Sequence, residues 1–137
     1  MLLVKRWLQF VAIVHIIMGL LLPIIVHIDL VQPYFRLMAD TFALNHQQDL
    51  LFLQFMIGLF GPTVASWGVL FFGIVTYAFS QPNKGVWWLM ILACVVWAAY
   101  DSIYSSLFGL WINAVINAIA FVSIVLPLCV VKKEFCD

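Results

Sequence analysis

The amino-acid sequence predicts an all-α integral membrane protein: a four-helix bundle with both termini inside and a short amphipathic segment in the outer interface. Three observations carry this. Hydrophobic residues make up 66% of the 137, and the mean hydropathy is +1.15. Charged residues are only 9%, against roughly 25% in soluble domains. The apolar residues gather into four long stretches, and all but one of the six Lys and Arg residues fall on a single side of them. Lys5 and Arg6 precede the first stretch, Lys84 separates the second from the third, and Lys132 and Lys133 follow the fourth. Only Arg36 lies on the other side. Cytoplasmic loops collect Lys and Arg, which orients the chain.

Crossing a hydrocarbon core of about 30 Å takes about 20 helical residues. Span one is predicted at 7–28, with Pro23 kinking its outer end. Its basic start imitates a signal peptide, but the apolar run exceeds a typical h-region and no small-residue cleavage site follows. The link 29–49 is the longest. Within it, 33–44 places Phe35, Met38 and Phe42 on one face, with Arg36 and Asp40 four apart. That pattern fits a helix lying in the interface, and a plain loop is the alternative. Residues 50–79 are too many for one upright helix: Gly61-Pro62 is the natural break, or the whole stretch is one tilted and kinked helix. Span two is therefore placed at 57–79, leaving 50–60 either on the bilayer or dipping into it. Spans three and four follow at 86–104 and 110–131, joined by an outer turn. Trp87 and Trp88 open span three at the inner interface. The whole length 1–137 is taken up by one transmembrane domain.

Composition narrows function chiefly by exclusion. A net charge of zero gives a nucleic-acid partner no electrostatic support. Cys94, Cys129 and Cys136 form no C-x-x-C and none is predicted at the outer surface, which argues against membrane thiol oxidation.

Ionisable and amide side chains are costly in lipid, so each should face the bundle or an aqueous cavity. Asp101 leads this group. Cys94, Trp97, Asp101 and Tyr104 follow a three-four-three spacing and are expected on one helix face. An acid between a tryptophan and a tyrosine can bind a cation or carry a proton; equally, it can hydrogen-bond a neighbouring helix. Asn113 and Asn117, four apart in span four, either glue helices together or line the same outer cavity as Asp101. His15 lies mid-span and His27 twelve residues on, roughly 120° around the helix, so the two cannot share a ligand. His15 is a candidate haem ligand or a histidine bonded to a neighbour. His27, Asp29 and His46 are weak candidates for a nitrogen-and-oxygen metal site. Gly61 with Ala65, Ala98 with Ser102, and Ala114 with Ala118 are small-residue pairs suited to close helix contact. Thr63, Ser66, Gly73 and Tyr77 form a further stripe on span two. Dimerisation is left open.

The basic start, the Gly19 to Pro23 end of span one, the outer amphipathic link and the Gly61, Pro62, Ser66, Trp67, Gly68 segment together resemble small bacterial inner-membrane proteins of the DoxX-like and BphX-like kind. The resemblance implies a four-helix fold in that membrane and carries over no catalytic residue. Three functions remain in view. The first is a non-enzymatic accessory or lipid- or small-molecule-associated bundle with no cofactor. The second is a small, dimeric, proton-coupled transporter using Asp101 or His15; small multidrug exporters rely instead on a glutamate in their first span. The third is a redox subunit holding a quinone or a haem.

Overall fold

A computed structural model describes residues 1–44 and 46–136, with the side chain of Leu30 left aside. The described residues contain helices and no strand. In chain order these are α1 (Leu2–Ile25), a 3-10 turn (Asp29–Val31), α2 (Gln32–Thr41), α3 (Gln47–Ala78), α4 (Lys84–Leu107), α5 (Trp111–Val130) and a terminal turn of helix, α6 (Lys133–Cys136). Among the described residues, α1, α3, α4 and α5 are long and apolar enough to cross a membrane.

Of the two readings of 50–79, the single long helix is the one observed, and no break falls at Gly61-Pro62. α3 runs unbroken through Pro62 for 32 residues, about 48 Å at 1.5 Å per residue. Residues 50–60 are its first turns. Proline is tolerated inside membrane helices because neighbouring groups can take up the backbone atoms it frees. A helix this long meets a 30 Å core by tilting or by extending into the interface. The amphipathic segment of the link is helical, as α2, and buries Phe35, while Phe42 ends that helix and is exposed.

The chain divides into two compact units, Ile13–Val69 and Met1–Ala12 with Leu70–Asp137. Within the first, α1 meets α3 through small residues. A Cβ placed on Gly19 would come 2.6 Å from the Gly61 carbonyl oxygen and 2.9 Å from Ala65 Cα. A Cβ on Gly61 would collide with the Gly19 carbonyl oxygen and lie 3.1 Å from Pro23 Cδ. The Gly61–Ala65 pair thus has Gly19 as its partner. The Thr63 and Ser66 part of the predicted polar stripe faces outward; Gly58, Gly61, Ala65 and Gly68 form the buried face. They recur every three or four residues, which is one side of a helix. At the end of α2, Ala43 adopts a left-handed φ of 53°, while Leu44 N–H donates to the Ala39 carbonyl at 2.9 Å. This is the helix-terminating geometry that glycine normally supplies.

Within the second unit, α4 packs along α5. α4 starts on Asn83, whose side chain accepts from Gly85 N–H at 2.7 Å and Val86 N–H at 3.3 Å, the usual work of an N-cap. It ends at a left-handed Gly109, φ 78°. There Leu110 N–H reaches the Ser105 carbonyl at 2.9 Å and Gly109 N–H the Ser106 carbonyl at 3.0 Å, a paired closure that reverses the chain into α5. Gly73 and Tyr77, the rest of the predicted stripe, are exposed, while Phe71, Val75 and Ala78 are buried. α6 folds back to pack Phe135 edge-on against Phe79 at 5.2 Å.

Gly61→Leu should lower the detergent melting temperature sharply, by an overpacking cost of about 1–3 kcal/mol or more. Gly73, with nothing within 4 Å of a built Cβ, serves as control: Gly73→Leu should change stability by less than about 0.5 kcal/mol. Ala43→Gly should raise stability by about 1 kcal/mol by relieving the left-handed strain. Thermal unfolding followed by circular dichroism reads all three.

Candidate functional site

The α4–α5 seam carries a ladder of paired residues. α4 turns Trp87, Met90, Cys94, Ala98 and Ser105 inward, and α5 answers with Asn117, Ile124 and Leu128. Trp87 Nε1–H donates to the Leu128 carbonyl at 2.9 Å. Near the other end of the hairpin, Asn113 Nδ2–H donates to Ser105 Oγ at 3.2 Å. Between them lies the most polar rung. Asn117, only 5% exposed, donates from Nδ2 to Asp101 Oδ2 at 2.5 Å and to Ser102 Oγ at 3.3 Å. Partners descend α5 as they climb α4, as an antiparallel pair requires.

The chemistry of this rung follows from its donors. A primary amide carries two N–H groups on one nitrogen, and Asn117 engages both Asp101 and Ser102. An ionised carboxylate accepts such bonds strongly. Asp101 itself is half-buried, so it lies at the margin of the seam rather than sealed within it. The arrangement can lock two helices in register.

The structure thus gathers Asp101, Asn113 and Asn117 along one seam and adds Ser102 and Ser105. Sequence reasoning treated Ser102 only as a small residue and Ser105 only as the start of a turn. The missed signal was spacing: 98, 101, 102 and 105 share a face, opposite the Asn113–Asn117 pair. Trp97, half-buried, remains on α4 near this face. Tyr104 does not belong to it. It is 54% exposed, stacked on Tyr100 at 6.1 Å and tilted against Phe108 at 5.1 Å. The three-four-three spacing drifts around the helix, and the buried face passes through Ser105 instead.

The histidines are placed elsewhere. In the unit Ile13–Val69, the His15 ring packs on Trp67 with centroids 4.8 Å apart. His27 is exposed on a cleft of about 300 Å³ with Pro23, Gln54, Phe55 and Gly58. Gln54 Nε2–H spans to the Val26 carbonyl at 3.4 Å. His46 N–H donates to Asp49 Oδ2 at 3.2 Å, capping the start of α3. His27, Asp29 and His46 do not converge: among the described residues no three His, Cys, Asp or Glu side chains form a metal-holding group.

No family model, curated protein or solved structure matches this chain.

Asn117→Ala should destabilise the hairpin by about 0.6–2 kcal/mol. Measured with Asp101→Asn in a double-mutant cycle, the losses should be non-additive, as expected of contacting residues. Strictly additive losses would show that the Asp101–Asn117 bond contributes nothing.

Proposed function

We propose that this chain is a multi-pass protein of the bacterial inner membrane, with four spans and both termini in the cytoplasm. Its role on this reading is that of a non-enzymatic accessory or lipid- or small-molecule-associated bundle. The orientation is supported by the five basic residues on one side of the spans. The role is supported by one observation above the rest. The chemistry-bearing residues of α4 and α5 are spent on each other: Asn117 bonds Asp101 and Ser102, and Asn113 bonds Ser105. Polar side chains so placed act as interhelical glue.

A second reading, a small proton-coupled transporter, is favoured by the half-burial of Asp101. A carboxyl group at the edge of a seam, held by a single amide rung, is placed where an aqueous path could reach it. Intramembrane acids are common proton relays.

The visible spectrum and native mass of the protein purified in mild detergent test the first reading. The expected outcome is a spectrum without a Soret band and a mass of one or two bare chains, with or without retained lipid; a Soret band would overturn it in favour of a redox subunit. For the second reading, Asp101→Asn in proteoliposomes should abolish substrate-dependent proton flux, and unchanged flux would remove Asp101 from any transport cycle.

A further inference from the structure

The basic residues of the unit formed by Met1–Ala12 and Leu70–Asp137 do more than report orientation. Hydrogen bonds within it bring the start of α1, the end of α3, the start of α4 and the end of α5 together. Trp7 Nε1–H donates to the Ser123 carbonyl at 2.8 Å, Gln9 Nε2–H to Thr76 Oγ1 at 2.9 Å, and Trp87 Nε1–H to the Leu128 carbonyl at 2.9 Å. Lys5, Arg6, Lys84, Lys132 and Lys133 therefore collect at one end. The described acids of this unit are Asp101 and Glu134. Asp101 is about 25 Å along α4 from Lys84, at 1.5 Å per residue, so five cations outnumber Glu134 and the Asp137 that follows it in sequence.

The segment carrying Lys132 and Lys133 is pinned on both sides. Before it, the Leu128 carbonyl is held by Trp87; after it, Phe135 is buried against Phe79. Lys132 Nζ sits over the Trp87 ring, 5.5 Å from its centroid, an attractive cation–π placement. Lys84 stands one helical turn before Trp87 on the same face of α4. One ammonium group thus rests on a fixed indole, and a second cation belongs to the turn before it on the same helix. Trp88, 51% exposed, adds an amphipathic ring suited to headgroup depth.

We propose that this end of the unit is a docking surface for anionic phospholipid headgroups, centred on Lys84 and Lys132, with the buried Trp87 ring beneath Lys132 as its anchor. Charge complementarity selects the occupant. A lipid phosphate supplies the negative charge by which five cations exceed Glu134 and Asp137, and its acyl chains share the hydrocarbon with the apolar helices. Pre-organisation distinguishes this surface from a loose basic tail, because the ordering cost of binding is already met by the bonds to Leu128 and Phe79.

The inference rests on the membrane reading, so the first measurement separates the two. Release of the full chain from membranes by alkaline carbonate without detergent would overturn both. A chain extracted only by detergent is then titrated with phosphatidylglycerol, phosphatidylcholine or inorganic phosphate and followed by native mass. Phosphatidylglycerol adducts should form at concentrations where phosphatidylcholine gives none. Each basic residue near an anionic surface is worth about fivefold in partitioning, so Lys84→Gln with Lys132→Gln should weaken binding about 30-fold. Lys84→Arg with Lys132→Arg should retain it, which separates loss of charge from loss of fold. Arg36→Gln, in the other unit, should leave it unchanged. Equal binding of both lipids, unchanged affinity in the double Gln variant, or displacement by equimolar inorganic phosphate would each overturn the proposal.

Discussion

Backbone carbonyls without helical donors govern how these helices are tied together. In hydrocarbon no water relieves such a group, so it must find a partner inside the protein. Pro127 lacks an N–H, which frees the Ser123 carbonyl one turn earlier, and Trp7 donates to that oxygen. At the end of α5, Lys132 N–H turns to the Cys129 carbonyl, and Trp87 takes the Leu128 carbonyl. At the end of α1, Gln54 reaches the Val26 carbonyl. Each bond answers a backbone vacancy with a side chain from a distant part of the chain. A buried polar group left unmet costs about 1–3 kcal/mol, more than an average intramembrane side-chain bond contributes.

Two further means of joining helices operate alongside this one, each in its own unit. Gly19, Gly61 and Ala65 let backbones touch, so the α1–α3 contact in Ile13–Val69 depends on side chains that are missing. The α4–α5 hairpin depends on side chains that are polar: Asn117 with Asp101 and Ser102, Asn113 with Ser105. Dispersion between close backbones and hydrogen bonds between amides are the two attractions lipid cannot imitate, since lipid tails are as apolar as leucine. The same hairpin places its polar rungs toward one end and Trp87 with its lysines at the other. That gives the second unit a polar cluster and a cationic face well separated along one helix pair.

Much of this was legible in sequence, and the failures are instructive. The four apolar helices were found from length and hydropathy; the spacing of Phe35, Met38 and Phe42 left helix or loop open for the link, and the helix that forms as α2 ends before Phe42. The Asp101–Asn117 neighbourhood was suspected because polar atoms in apolar runs must be satisfied. Gly61-Pro62 left both a break and one long helix open, because proline punctuates helices in water, where freed backbone groups have solvent, yet is tolerated inside apolar membrane-type helices. The stripe of Thr63, Ser66, Gly73 and Tyr77 looked inward because it is more polar than its surroundings, yet the buried side is the glycine and alanine one. Tyr104 was misplaced by a small drift of helical phase. α6 was missed because four residues carry no periodicity; only the contact of Phe135 with Phe79 reveals it.

What the sequence determined by itself was the helical class, the approximate extent of the long helices and the asymmetry of charge. These depend on local composition and on the thickness of the surrounding hydrocarbon. Partnership came from the three-dimensional packing: Trp7 serves Ser123, Trp87 serves Leu128 and carries Lys132, and Asn117 joins Asp101 to Ser102. These pairs are 15 to 116 residues apart in the chain. A hydrogen bond needs its atoms within about 3 Å, and no local pattern encodes which distant carbonyl will lie there.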